Sequence, residues 1–273
     1  MKENKNSLSE IWDLHWGINK KMLKIYDLID IFIYLWFEIG NILLNSIDRS
    51  KKLKFIEFGC GGGTFLPYFL RKYNNLEIFG IDISPIGCKM ALKRTKGKIN
   101  SSNIKHGDIL TDNFPDRFDI CFSFGLIEHY ENSGFVIKKH VEILKKDGIM
   151  ICILPNLVGL QGKILKSKIW YTEEKWNKNP KGWIFEMNPI SVESLKKLCQ
   201  SAGLKDIKVR PTGGFFPFFL IETINFQKKS SGNFLKNMHR ILLPLFIIIN
   251  IPTFLRLNSN SFSPYLIAIG KKP

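Results

Sequence analysis

Phe55-Ile56-Glu57-Phe58-Gly59-Cys60-Gly61-Gly62-Gly63 decides how this chain is read. A short apolar run ends in an acidic residue and then breaks into glycines at 59, 61, 62 and 63. Apolar run, glycine loop and a helix-like segment from Thr64 form the layout of a nucleotide-binding strand–turn–helix. Glycine has no Cβ, so it takes positive φ and lets a ligand lie against the backbone. The helix that follows offers free amide groups at its N-terminus. A purely structural turn of the same composition is the competing reading of the loop taken alone.

The neighbouring sequence adds weight. Leu76-Glu77-Ile78-Phe79-Gly80-Ile81-Asp82 is a second strand-like run, ending in Asp82. An acidic residue about 20 positions past such a loop is where a ribose diol would be held. A carboxylate accepts two hydrogen bonds and suits that task. Dehydrogenases share this much. Further on stand His106-Gly107-Asp108-Ile109, then Phe118-Asp119-Ile120-Cys121-Phe122-Ser123-Phe124-Gly125-Leu126-Ile127-Glu128-His129. The turn Leu144-Lys145-Lys146-Asp147-Gly148 then leads into Ile149-Met150-Ile151-Cys152-Ile153-Leu154.

The order of these blocks resembles the class I S-adenosylmethionine-dependent methyltransferases, in particular the branch acting on quinones, sugars and other small molecules. The resemblance covers residues 54–155 well and 191–209 loosely. It implies an α/β, Rossmann-like, doubly wound sheet of seven strands, mostly parallel with an antiparallel last strand. The sequence itself alternates strands and helices, as a parallel sheet requires. Strands are expected at 53–58, 77–82, 104–105, 118–122, 149–154, 206–210 and 264–270. Helices are expected at 64–73, 85–96, 133–144 and 191–203, the last capped by Ser191 and ended by Gly203.

The resemblance also assigns roles. S-adenosyl-L-methionine is the implied cofactor. Gly59, Cys60, Gly61 and Gly63 would border its methionine portion and ribose. Glu57 would orient the loop and the ammonium group. Asp82 would take the ribose hydroxyls, with Ile83 beside the adenine, and Asp108 the adenine amino group, with Ile109 packing nearby. Phe124 and Gly125 would border the methyl group. Glu128 and His129 form the candidate catalytic pair, since a histidine can remove a proton from an acceptor hydroxyl near neutral pH. A histidine that merely opens the next segment is the competing reading. His15 is a second candidate base if the N-terminal segment folds over the site. Some relatives hold a divalent metal with Glu-x-x-Glu-His. Gly125 stands at the first acidic position here, which argues against that metal.

Residues 1–50 are expected to form an N-terminal helical lid ahead of the methyltransferase domain at 51–273. Trp12-Asp13-Leu14-His15-Trp16-Gly17 is an aromatic cluster, and 25–44 carries apolar residues at helical spacing. Asp27, Asp30, Glu38 and Asn41 interrupt that stretch, against a membrane span. Two inserts stand out. Residues 156–190 carry Trp170, Tyr171, Trp176, Trp183 and Phe185, and read either as an acceptor pocket or as a surface excursion. Residues 211–263 contain broken apolar runs. They read as a buried cap or, through 234–257, as a peripheral membrane contact.

A formal net charge of +16 over 273 residues brings nucleic acid into consideration. The lysine pairs are short and scattered, and no arginine-rich block interleaves with aromatics, which points to solvated faces instead. Five cysteines without CxxC spacing suggest neither a disulfide scaffold nor a zinc site. A polar N-terminus without a secretory pattern and reduced cysteines fit a cytoplasmic setting. The expected activity is O-methylation of a small-molecule, sugar or lipid-linked glycan acceptor. The alternatives are an RNA methyltransferase and a non-catalytic S-adenosylmethionine-binding protein.

Overall fold

The computed structural model describes residues 9, 10, 12, 13, 16, 48, 50–114, 117–159, 162, 187–213 and 258–273. His15, the helical pattern at 25–44, the aromatic residues of the first insert and the stretch 234–257 lie outside the described residues.

Seven strands form one sheet: β1 (Leu53–Phe58), β2 (Leu76–Asp82), β3 (Ile104–His106), β4 (Phe118–Phe124), β5 (Leu144–Pro155), β6 (Lys205–Thr212) and β7 (Tyr265–Lys271). Their order is β3-β2-β1-β4-β5-β7-β6. Neighbours up to β5 run parallel, and β7 runs antiparallel to both β5 and β6. This is the expected architecture, a Rossmann-like α/β sheet.

Among the described residues, the helices that flank the sheet are α1 (Leu66–Lys72), α2 (Pro85–Arg94), α3 (Ser133–Glu142) and α4 (Val192–Ser201). They cover both faces, which is why the inner strands read as continuous apolar runs. On one face Phe55, Phe122 and Ile151 pack with Phe65, Phe69 and Ala91 from the α1 and α2 side. Phe55 and Phe69 have ring centroids 4.4 Å apart. On the other face Ile56, Cys121 and Met150 pack with Val136, Ile137, Leu195 and Cys199 of α3 and α4. The alternation of Phe55 with Ile56 and of Cys121 with Phe122 is the two-residue period of a strand buried on both sides.

Several boundaries shift by one or two residues from expectation, and two shifts have a clear physical reason. The first helix begins at Leu66 rather than Thr64, because Gly63 N–H closes a tight turn on Cys60 O at 2.8 Å before the chain can wind. Residues 144–148 are part of β5 rather than a free turn. Leu144 pairs with Phe118, then the strand bulges at Asp147, whose φ is +62°.

The strand order reverses between β1 and β4. At such a switch point two loops diverge to opposite faces and leave a crevice at the strand C-termini. The loops after β1, β2, β3 and β4 all end at that edge.

Candidate functional site

The glycine loop is pinned to the end of β2. The N–H groups of Gly59 and Cys60 both donate to Ile81 O, at 2.9 and 3.1 Å. Gly61 N–H donates to Asp82 Oδ2 at 2.7 Å, and Ser84 N–H donates to Asp82 Oδ1 at 2.8 Å. Each Asp82 oxygen therefore holds one backbone amide and keeps a further lone pair. Burial pushes Asp82 up to about 6, against the two amides that favour its ionised form; Asp13 pushes it further and His106 opposes.

Gly63 has φ +72°, and a Cβ there would stand 2.7 Å from Ala91 Cα, so this glycine lets α2 pack against the loop. The Cys60 side chain turns away into the core against Gly80, where a Cβ would lie 3.0 Å from its sulfur. Only the Cys60 backbone belongs to the loop.

Glu57 is 2% exposed, and its Oε2 has no hydrogen-bond partner among the described residues. Burial holds its carboxyl well above the usual range, the nearby Asp82 adds to this, and Arg94 opposes it. A buried carboxyl oxygen left without a donor is costly and points to a polar group that would fill the place.

At the end of β3, Asp108 Oδ1 accepts from Leu110 N–H at 2.9 Å, an Asx turn within its own loop. Gly107 N–H ties that loop to Asp82 O at 3.0 Å, and Ile109 is buried. Ile83 O accepts from Ser9 Oγ at 2.9 Å and lies 3.1 Å from His106 Nε2. Asp82 and Asp108 both act on the Tyr130 hydroxyl and raise its pKa beyond the effect of burial. Tyr130 therefore belongs to this edge, although no motif singled it out.

After β4, Phe124 packs on Phe65 and Tyr265 at centroid distances of 4.8 and 5.3 Å. A short 3-10 turn (Ile127–His129) follows, held by Ser133 Oγ donating to Ile127 O and Asn188 N–H donating to Glu128 O. Glu128 is 1% exposed, and its Oε1 lies 3.8 Å from His129 Nε2. That distance would suit an ion pair, but burial opposes charge on both. It pushes Glu128 up to about 8 and His129 down to about 4. Burial thus favours the uncharged form of each, a protonated carboxyl beside a neutral imidazole. Glu128 Oε2 has no hydrogen-bond partner among the described residues. Among those residues no group of three or more His, Cys, Asp or Glu is placed to hold a metal.

The structure thus brings Glu57, the loop 59–63, Asp82, Ile83, Asp108, Ile109, Phe124, Glu128 and His129 to one edge of the sheet. Sequence reasoning missed Asp13, Ser84 and Tyr130. Asp13 Oδ1 accepts from the Ser84 hydroxyl and from Ile86 N–H at the start of α2.

Known proteins of similar sequence and fold place the chain in a family. The family described as a methyltransferase domain matches residues 33–209. The ubiquinone biosynthesis O-methyltransferase of Pelagibacter ubique is 28% identical over 211 residues, covering 75% of this chain and 80% of that protein. Among solved structures, a SAM-dependent methyltransferase of Thermotoga maritima superposes with a TM-score of 0.55 at 16% identity, covering 94% of this chain and all of that one. An O-methyltransferase from a Brevibacillus brevis multienzyme, bound to S-adenosyl-L-homocysteine, gives 0.50 at 16% identity over 86% of this chain and 72% of that one.

The chain belongs to the methyltransferase-domain family and is a class I S-adenosylmethionine-dependent methyltransferase. S-adenosylmethionine is its cofactor. The residues fit that group. Asp82 has lone pairs left for a diol, and Glu57 presents an acidic oxygen without a donor among the described residues. Among the described residues no helix is long and apolar enough to cross a membrane.

Proposed function

We propose that this enzyme O-methylates the hydroxyl of a small-molecule acceptor, with His129 as the base. The observation that carries the reading is the largely enclosed imidazole of His129, 3.8 Å from Glu128 at the end of β4. The likeness to a ubiquinone biosynthesis O-methyltransferase supports a hydroxyl acceptor. Within that class, a sugar or a lipid-linked glycan is the finer proposal, with peripheral membrane contact through 234–257 and a cytoplasmic setting.

The bound cofactor supplies an electrophilic methyl group on a sulfonium. The chain holds the reactants close and in line, and such positioning supplies much of the acceleration. Asp82 takes the ribose hydroxyls and Glu57 the ammonium. The loop carrying Gly59, Gly61 and Gly63 borders the donor, its glycines shaping the turn at positive φ while their faces pack on Leu126, Trp16 and Ala91. Ile83, Asp108 and Ile109 border the adenine. Phe124 and Gly125 flank the reacting carbon. His129 accepts the acceptor's hydroxyl proton as the new C–O bond forms and the C–S bond breaks. The imidazolium then gives that proton to solvent as the products leave, with Glu128 beside it throughout. Residues 1–50 act as the lid, and the inserts at 156–190 and 211–263 shape the acceptor pocket.

RNA is the second acceptor class, favoured by the net charge of +16. Cell extract incubated with a methyl-tritiated donor distinguishes the two. Label in an RNase-resistant small molecule or glycan supports the main reading. Label lost to RNase, with binding that falls steeply as salt rises, transfers the assignment to RNA.

A further inference from the structure

Ser9, Trp12, Asp13 and Trp16 are helical and recur at i, i+3, i+4 and i+7, so they share one face of a helix. All four touch the sheet edge described above. The contacts come from different elements, and each has its own chemistry.

Trp16 is the wedge. A Cβ at Gly61 would lie 2.0 Å from Trp16 Cζ2, and one at Gly87 would lie 3.1 Å from Trp16 Cδ1. The indole rests on two glycines, one in the loop after β1 and one in the first turn of α2. Any side chain at 61 would expel it. Asp13 is the latch. Its Oδ1 accepts from the Ser84 hydroxyl and Ile86 N–H, while Ser84 Oγ accepts from Gly87 N–H at 2.9 Å. The carboxylate thereby sits at a helix N-terminus, where negative charge is favoured. Ser9 Oγ adds a third tie, to Ile83 O.

These three ties bring Trp12, on the same helix face, to the end of β4. Its ring meets His129 edge to face, with centroids 5.2 Å apart and planes at 89°. We propose that Trp12 is a positioning residue for His129, delivered by the Trp16 wedge. It holds the imidazole plane and keeps water from it, so that the base stays neutral and aimed across the β4 end. The inference rests on the functional reading above only for the role of His129; the seating of the helix stands without it.

The physical consequence is direct. His129 retains 13% side-chain exposure. Burial drives its pKa down, and the titratable group beside it in the same 3-10 turn is Glu128. Removing the Trp12 ring opens one wall and readmits water.

The test is a titration of the full chain carrying ¹³C-labelled histidine, with the His129 signal assigned by its loss in His129→Gln. Trp12→Ala raises the His129 midpoint by at least about one pH unit toward its ordinary value. Trp12→Phe, which keeps an aromatic edge, restores the midpoint of the parent. Trp16→Ala, which removes the wedge, raises it as Trp12→Ala does and speeds amide exchange at residues 9–16. Should Trp12→Ala not fold, Trp12→Leu takes its place. A Trp12 that only buttressed the fold would lower the melting temperature and leave the His129 midpoint where it was. That outcome overturns the proposal. Binding of S-adenosylhomocysteine to the wild type, followed by calorimetry, separates the two claims. Its absence breaks the functional reading, whereas an unmoved His129 breaks only this inference.

Discussion

The end of β2 and the end of β4 both present a buried acid, and they treat it in opposite ways. Asp82 is clamped by two backbone amides, from Gly61 and Ser84, and is pushed only to about 6. Glu128 accepts no donor at Oε2 among the described residues and is pushed to about 8. One carboxylate is organised to remain ionised and receive hydroxyls. The other is kept neutral beside an imidazole that is kept neutral as well. The difference teaches that burial alone does not set a role. The amides around an acid decide whether it serves as a fixed acceptor or stays uncharged.

The sharpest way to break this contrast is to remove one residue from each end. His129→Gln lowers kcat by about 10²–10⁴-fold, the usual contribution of a positioned base, while S-adenosylhomocysteine affinity holds. Equal losses of both would mean that the β4 end serves binding. Gly61→Ala is the next largest effect. Its φ of +46° is costly for alanine, by about 1–2 kcal/mol, and the new methyl group meets Trp16. Thermal unfolding shows the loss, and an unchanged melting temperature would refute the wedge.

Asp82→Asn comes third and weakens S-adenosylhomocysteine binding by about 2 kcal/mol, as expected for lost hydrogen bonds to a charged group. Wild-type affinity falls as pH drops through about 6, where Asp82 takes up its proton, and the variant's affinity stays flat there. The smallest effect concerns stability. The Glu128 pKa is higher in the folded state than its ordinary value, so its contribution is fully present below about 4.5 and is lost as pH rises through about 8. Glu128→Gln lessens the slope in denaturant titrations across the window by the share of Glu128, leaving those of Asp82 and Glu57, whose pKa values burial also raises. A slope equal to that of the wild type would show that Glu128 does not contribute.

Much of the donor side was legible because its signals are local. A strand, a glycine loop and an acid at the next strand end are read from spacing, and Asp82, Gly61 and Gly63 stand where that spacing put them. The antiparallel β7 followed from family resemblance rather than from its own seven residues. The wall formed by Trp12, Asp13 and Trp16 was visible only as an aromatic cluster. Its target lies far along the chain, and no periodicity within a segment reveals which distant glycines lack a Cβ for it. Tyr130 escaped for the same reason, because its proximity to Asp82 and Asp108 is tertiary. Cys60 was expected at the site from its place in the loop. The turn after β1 sends its side chain into the core against Gly80 and leaves only the backbone at the loop.

Isothermal titration of the full chain with S-adenosylmethionine tests the central claim most directly. The account predicts saturable binding by the wild type and affinity weakened by about 1–3 kcal/mol in Asp82→Ala. Absence of binding by the wild type, or equal affinity in the two proteins, would contradict it.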